Sequence, residues 1–335
     1  MRYLIATALL SLLASPNSTL AQTGTPAPDQ EQPYTIQANA KIVQVPTTVE
    51  VKGQVLYGLK ADQFRVEDNG VPQQIKLDED SDAQGLSLVV LLQCSRSAIA
   101  EYSKLEALPG MIESLVGGAP REIALVRYGS HPELVQPFSR NLDEVNAAMA
   151  RMGPCDDDKA ATIDAVSYAA SILANRRDRF RRAVLLISET RDHGSTVKEE
   201  RVIEQLGRTN TVVNAIAFSP IKSEVVDDWH SGGGFNPLKL LFAAVQALRQ
   251  NAPKTISRLS GGQYFNFTTK KGFEESVQLL SNRVHNYYLL SFVVPNDATD
   301  GLHEITVSVP EYPNAKIRAR RTYWVGDVKQ PAKKN

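Results

Sequence analysis

Residues 85–97 read GLSLVVLLQCSRS, and this segment indicates the fold class more clearly than the rest of the sequence. From residue 87 to residue 92 the chain is a continuous apolar run, which is typical of a central parallel strand that is covered on both faces. Polar residues and a cysteine follow at once, in residues 93–97. Because open α/β sheets bind ligands at the carboxyl ends of their strands, a site is first expected here.

Strands and helices alternate after this run. Apolar residues at helical spacing predict helices, and short apolar runs between them predict further strands. This alternation indicates βαβ units, so residues 85–285 are predicted to form an α/β domain with a doubly wound, mostly parallel sheet. Strands are expected near residues 123–128, 183–187, 212–218 and 263–267, and helices near 99–115, 142–152, 163–173, 202–206 and 273–284.

Residues 219–250 are predicted to be an insertion into this domain. Residues 231–234 read SGGG, a composition typical of flexible segments. Apolar side chains then recur on one face of a predicted helix. Such a stripe is most often core, and a partner-binding helix is the alternative. The stripe consists of Leu238, Leu241, Phe242, Val245 and Leu248.

The chain is β-rich on both sides of the α/β block. Residues 35–84 contain the alternating strand 43–51 and an Asn69-Gly70 turn, which is a strong hairpin signal between the expected strands 64–66 and 74–77. Residues 286–326 return to alternation, with strands expected at 288–294, 305–309 and 317–325. Neither segment has enough strands to bury a sheet face alone. We therefore expect the two segments to form one β unit.

The two termini carry signals of export and flexibility. Residues 1–21 have the basic residue Arg2 near the start, then a short apolar core and a small-residue cleavage site before Gln22. This pattern predicts a secretory signal peptide. Residues 22–34 are expected to be a flexible leader, and residues 327–335 a disordered tail. A cleaved signal implies a secreted or periplasmic protein in an oxidising compartment.

Length, charge and hydropathy further restrict the classes of protein to which the chain can belong. The 335 residues suggest about two domains, and 37 basic residues balance 37 acidic ones. A formal net charge of zero removes the electrostatic argument for a nucleic-acid partner. After the N-terminus no apolar run is long enough to span a membrane, so no transmembrane segment is expected.

Three loops lie at the predicted carboxyl edge of the sheet: residues 93–97, 155–162 and 188–190. Their arrangement resembles a von Willebrand factor type A (vWA) domain. Members of that family place Asp-x-Ser-x-Ser, a Thr and an Asp on these loops, which together hold a divalent cation in the metal-ion-dependent adhesion site (MIDAS).

The resemblance extends to exported bacterial, acidobacterial-type VWFA-related proteins and covers about residues 40–325. It is carried by several segments in the same order. They are residues 58–75 (GLKADQFRVEDNGVPQQI), residues 259–262 (LSGG), and the ending from residues 287–292 (YYLLSF) to residues 320–323 (RRTY).

The metal site departs from the family pattern. Gln93 stands where the first Asp is expected, whereas Ser95 and Ser97 are kept. Ala160 occupies the Thr position, with Thr162 close by, and the longer Glu189 replaces the last Asp. Mg²⁺ requires tight octahedral geometry, usually with one or two carboxylates. We therefore expect a degenerate site with no metal and no cofactor, and a metal-dependent adhesin that retains Mg²⁺ is the alternative.

The resemblance also bears on the two cysteines. It brings the first two loops together, which implies a disulfide between Cys94 and Cys155. Two separate buried thiols are the alternative. A disulfide would join loops that a bound cation would otherwise bridge.

The sequence as a whole favours an exported, non-enzymatic binding module. No G-x-S-x-G, G-x-G-x-x-G or P-loop motif is present, and no catalytic residue is assigned. By analogy with vWA domains, the partner is expected to be an unidentified protein or cell-surface polymer. The alternative from another class is a thiol-dependent enzyme that uses Cys94, since a thiol before a helix N-terminus has a lowered pKa.

Overall fold

A computed structural model describes residues 41–78, 85–176, 180–218 and 236–326. The expectations for the signal peptide, the flexible leader, the tail and residues 219–235 of the insertion lie outside these ranges. No helix in the described ranges is long and apolar enough to cross a membrane.

Fifteen strands lie within the ranges that the structure describes. They are β1 (Ile42–Val51), β2 (Gln54–Val55), β3 (Arg65–Asp68), β4 (Val71–Pro72), β5 (Ile75–Asp78), β6 (Leu86–Gln93), β7 (Arg121–Tyr128), β8 (Pro132–Ser139), β9 (Arg181–Glu189), β10 (Val212–Phe218), β11 (Tyr264–Phe267), β12 (Tyr288–Val293), β13 (Gly301–Ser308), β14 (Lys316–Ala319) and β15 (Thr322–Val325).

Seven α-helices of the α/β block lie within the same described ranges. They are α1 (Leu108–Val116), α2 (Leu142–Ala150), α3 (Thr162–Ala174), α4 (Glu199–Thr209), α5 (Pro237–Gln250), α6 (Ala252–Ser260) and α7 (Lys270–His285). The helix expected over residues 99–115 is divided into a 3-10 segment, Arg96–Lys104, and α1. Pro109 lies in the first turn of α1, where its missing N–H is tolerated, and this favours a new helix start.

The central sheet has the strand order β11-β10-β9-β6-β7-β8. All neighbouring pairs are parallel except β7 and β8. Strand β6 lies in the middle and is buried along its whole length, which explains its unbroken apolar run. Strand β8 was missed in the sequence, because Pro132 and Pro137 argue against a strand. It lies at the sheet edge, where proline is tolerated.

Helices cover both faces of the central sheet. Val89 and Leu91 of β6 join an apolar cluster with α3, α4, α5 and α6. Leu88, Val90 and Leu92 point to the other face and pack with α1, α2 and α7. Alternate residues of one strand thus supply two separate cores.

Strands from the two β-rich segments pair with each other in two antiparallel sheets. One has the order β14-β1-β12-β5 with β2 beside β1, and the other has the order β15-β13-β3-β4. Strand β1 pairs with both β12 and β14, and β13 pairs with β3. A shared apolar cluster that includes Val45, Phe292 and Tyr323 lies between them.

The Asn69-Gly70 turn forms as predicted, with both residues at positive φ. Its second strand is β4, not residues 74–77. Those residues belong to β5, which pairs with β12 in the other sheet.

The strand expected over residues 317–325 is two strands in different sheets, β14 and β15. Arg320 separates them and is among the most deeply buried side chains. Its guanidinium binds the C-terminal end of α4, whose last carbonyl groups lack partners within the helix. The acceptors are Leu206 O, Gly207 O, Asn210 Oδ1, Gln44 O and Thr322 O.

Helix α5 buries a different stripe from the one expected. Leu240, Ala244, Val245 and Leu248 face the core, whereas Leu238 and Phe242 are exposed. The buried stripe is therefore shifted around the helix from the expected one, and Val245 and Leu248 are the residues that the two share.

Candidate functional site

The candidate site lies where the strand order of the central sheet reverses. Strand β6 is followed in the chain by β7 on one side, whereas the later strand β9 lies on its other side. Loops that leave neighbouring strands in opposite directions open a crevice at the carboxyl edge. Gln93 ends β6 and Glu189 ends β9, so both residues lie at this crevice.

The side-chain amide of Gln93 is the centre of the site. Its nitrogen, Nε2, lies 2.8 Å from Ser95 Oγ, 2.9 Å from Ser97 Oγ and 3.0 Å from Glu189 Oε1. Ser97 Oγ is also 3.2 Å from Glu189 Oε1. Gln93 and Ser95 are fully buried. The structure therefore brings four of the predicted site residues together around one amide group.

The orientation of this amide is fixed by its other end. Gln93 Oε1 accepts a hydrogen bond of 2.8 Å from the backbone N–H of Glu189. If the amide were turned around, its nitrogen would face that N–H and its oxygen would face the Glu189 carboxylate. The amide nitrogen must therefore point towards the two hydroxyl groups and the carboxylate.

This arrangement does not fit a divalent cation. The oxygens of Ser95, Ser97 and Glu189 are the type of ligand that Mg²⁺ binds. They surround the Gln93 N–H groups, whose partial positive charges would repel a metal ion. Glu189 is the one carboxylate of this group. In the part of the chain that the structure describes, no cluster of three His, Cys, Asp or Glu side chains could hold a metal.

Thr162 and Ala160 do not complete the set. Thr162 begins α3, and its buried hydroxyl lies 3.1 Å from the Tyr128 hydroxyl. Ala160 is buried and pairs through its backbone with His193, in an isolated bridge between the second and third loops. Burial raises the pKa of Tyr128, so this phenol stays protonated and can donate.

The predicted disulfide between Cys94 and Cys155 is formed, with the Cα atoms 5.0 Å apart. It joins the first loop to the second. The backbone N–H of Cys155 also donates to Cys94 O at 2.7 Å, and Arg96 N–H donates to Asp157 O at 2.8 Å. The Arg96 guanidinium binds Asp156 and Asp158. Covalent, backbone and ionic links thus hold the two loops together.

Asp157 fixes the second loop to the end of β7. Its carboxylate accepts from Ser130 N at 2.6 Å, Ser130 Oγ at 2.7 Å and Lys159 N at 3.0 Å. These hydrogen bonds lower the pKa of Asp157 to about 2. Gly129 permits the approach, since a Cβ there would lie 2.5 Å from Asp157 Oδ2.

Asp192, like Asp157, has a role that the sequence did not reveal. Its Oδ1 accepts from Ile163 N at 2.9 Å and from Ser195 Oγ at 2.6 Å. The first N–H groups of a helix need acceptors, and Ala161, at the start of α3, has no side chain that can supply one. An acceptor from elsewhere in the chain was therefore to be expected.

A cavity of about 440 Å³ opens beside Glu189. Phe218 and Phe267 give it an apolar wall, and Ser97, Glu101, Lys104, Thr190 and Thr268 complete its lining. Glu101 pairs with Lys104 at 2.7 Å, so its charge is compensated. Glu189 gives the cavity its remaining negative charge, and His193 Nε2 lies 3.8 Å from its Oε2.

Comparison with protein-family models and with curated protein sequences finds no match to this chain. Several solved structures are similar to part of it. The conserved hypothetical protein BatB from Bacteroides thetaiotaomicron is 12% identical over 60% of this chain and 100% of its own, with a TM-score of 0.40. Proximal thread matrix protein 1 from the mussel byssus, with a zinc-occupied MIDAS motif, is 14% identical over 66% of this chain and 49% of its own, with a TM-score of 0.40.

The VWA domain of SpRpn10 is 14% identical over 60% of this chain and 94% of its own, with a TM-score of 0.37. At TM-scores this low, the description of the fold rests on the strand order and register, and not on these likenesses.

Proposed function

We propose that this chain is an exported, non-enzymatic binding module of the bacterial VWFA-related kind, and that its vWA-like domain, residues 85–285, works without a divalent cation. The observation that carries the proposal is the position of Gln93 Nε2 among Ser95 Oγ, Ser97 Oγ and Glu189 Oε1. The amide donates to oxygens that would otherwise bind a metal ion. The loops therefore keep their arrangement through hydrogen bonds and the disulfide.

The proposed ligand surface is the cavity beside Glu189, at the carboxyl edge of the sheet. The partner is an unidentified protein or cell-surface polymer. A metal at such a site would favour an acidic group on the partner. Without a metal, the Glu189 carboxylate favours a basic group, whose aliphatic stem can lie against Phe218 and Phe267.

Thermal unfolding with and without millimolar MgCl₂ or MnCl₂ tests the metal-independent site. A ligand that binds only the folded state stabilises it by about 2.7 kcal/mol at a hundredfold excess over its Kd. We expect no cation-dependent rise in the melting temperature of the wild type. A rise in Gln93→Asp, which replaces the amide with a carboxylate, would support the role of Gln93. A rise in the wild type that Glu189→Ala abolishes would contradict the proposal and favour the metal-dependent adhesin.

The alternative hypothesis, a thiol-dependent enzyme, needs a free thiol at Cys94, and the structure has none there. Cys94 and Cys155 are the two cysteines of the sequence, and both are in the disulfide. Cys94 is also buried. We expect no titratable thiol in the denatured, non-reduced protein, and two thiols per chain would reopen the enzyme hypothesis.

The disulfide also supports the proposed export, because structural disulfides persist mainly in oxidising compartments. We propose that the mature chain begins at Gln22 and is secreted or periplasmic. Intact mass of the exported material tests this directly, since retention of Met1 would contradict it.

A further inference from the structure

A second cavity, of about 340 Å³, lies away from the candidate site. It is near the amino end of β11, whereas Gln93 and Glu189 lie at carboxyl ends of strands. Its size is within the range of small-molecule sites, about 300–1,000 Å³. The cavity is bounded by α6, by the start of β11 and by the edge strand β14.

Basic side chains from α6, from β14 and from the turn after β14 line this cavity. They are Lys254 and Arg258 of α6, Lys316 and Arg318 of β14, and Arg321, which follows β14. None of the described residues that line it is acidic. Such a concentration of positive charge is unexpected in a chain whose formal net charge is zero.

The carboxylate that pairs with Arg318 is shared with another basic group. Arg318 pairs with Glu50, but Glu50 also binds Arg283 at 2.9 Å, so one carboxylate serves two guanidinium groups. Within the described ranges, Lys316 and Arg321 have no ion pair. Burial and the nearby charge of Arg321 lower the pKa of Arg258 to about 10.

A close backbone contact places α6, which carries two of the basic residues, beside the turn that follows β14. Gly261, at φ +85°, ends α6 so close to Arg320 that a Cβ there would lie 2.8 Å from Arg320 N. This contact sets α6 directly against the turn between β14 and β15. Tyr264 also lines the cavity, and its hydroxyl accepts a hydrogen bond of 3.3 Å from Asn251 Nδ2.

We propose that this cavity binds a phosphate group, either as free phosphate or as the phosphate of an ester. Basic donors from α6, β14 and the turn after β14 fit a tetrahedral group with several acceptor oxygens and a double charge better than a planar carboxylate. Guanidinium groups match phosphate through paired hydrogen bonds.

Isothermal titration calorimetry of the full mature chain at constant ionic strength tests this site. The probes are inorganic phosphate, glycerol phosphate and acetate. We expect saturable binding of phosphate and clearly weaker binding of acetate. Tighter binding of glycerol phosphate would identify an ester as the ligand, and equal or weaker binding would identify free phosphate.

Arg321→Gln and Lys316→Gln should each weaken phosphate binding about tenfold, because each variant removes one charged donor to the phosphate oxygens. Lys316 is exposed, so its variant should fold normally. Lys271→Gln is the matched control, since this side chain is 85% exposed on α7. Phosphate binding no stronger than acetate binding, or equal affinity in wild type and both cavity variants, would overturn the proposal.

Discussion

The Cys94–Cys155 disulfide should contribute a large part of the stability of this protein. The double variant Cys94→Ala, Cys155→Ala removes the bond without placing a hydroxyl in the buried Cys94 position. A disulfide stabilises mainly by restricting the unfolded chain. For a sequence separation of 61 residues, the loop-entropy model gives about 4 kcal/mol.

The folded state should survive this change. The N–H of Cys155 still donates to the carbonyl of residue 94, and Arg96 still binds Asp157 O through its backbone. Both contacts use backbone groups, so they do not depend on the sulfur atoms. The loss should therefore fall on the unfolded state, with the native loops largely unchanged.

Equilibrium unfolding in urea, followed by circular dichroism, measures the effect. We expect the free energy of unfolding to fall by about 4 kcal/mol, and the melting temperature by roughly 10 °C. Reductant should lower the stability of the wild type to that of the variant and leave the variant unchanged. Equal stability of the variant and the oxidised wild type would refute the loop-entropy reasoning.

Three further changes test other parts of the structure. Arg320→Leu leaves buried carbonyl oxygens at the end of α4 without donors, so the free energy of unfolding should fall by about 3 kcal/mol in urea titration. A fall no larger than that of the exposed Lys316→Leu would contradict this. Burial opposes the charged form of His303, but hydrogen bonds to Asp68 and to a backbone carbonyl outweigh it and raise its pKa. Stability from this group is therefore present below pH 6.5 and lost as pH rises through the raised pKa, and His303→Gln should remove that decline. A decline of the same size in the variant would exclude His303 as its source. Because the pKa of Asp157 is lowered from 3.8 to about 2, its stabilisation is present above pH 3.8 and lost as pH falls towards 2. Asp157→Asn should lower stability by about 1–2 kcal/mol at neutral pH, with allowance for solvent screening, and should weaken the acid dependence. An unchanged acid limb would refute this assignment.

Local patterns in the sequence predicted much of the fold. The apolar run before Gln93 marked the central strand, because a strand covered on both faces has mostly apolar residues on both faces. The Asn69-Gly70 turn was predicted because both residues tolerate positive φ. The disulfide followed from the resemblance to vWA domains, which implied that the first two loops meet.

Other features depend on contacts between distant parts of the chain. Strand β8 could not be predicted, because Pro132 and Pro137 argue against a strand. These prolines are tolerated because β8 lies at the edge of the sheet. The break between β14 and β15 depends on Arg320, whose acceptors at the end of α4 and at Asn210 lie more than a hundred residues earlier. No local pattern could reveal either feature.

For the candidate site, too, the sequence predicted the residues but not the contacts between distant parts of the chain. The sequence identified Gln93, Ser95, Ser97 and Glu189 as site residues, and it showed that Gln93 lacks the expected negative charge. It could not show where the amide points, because that depends on the backbone N–H of Glu189 across the sheet.

In the proposed function, the amide nitrogen of Gln93 lies where a metal ion would otherwise bind. Anomalous diffraction from crystals soaked in millimolar MnCl₂ tests it most directly, because manganese can be located independently of the protein model. We predict no anomalous peak between the oxygens of Ser95, Ser97 and Glu189 in the wild type, and the Gln93 amide in its hydrogen-bonded position. A manganese peak at that point, with the Gln93 side chain turned away, would contradict the claim.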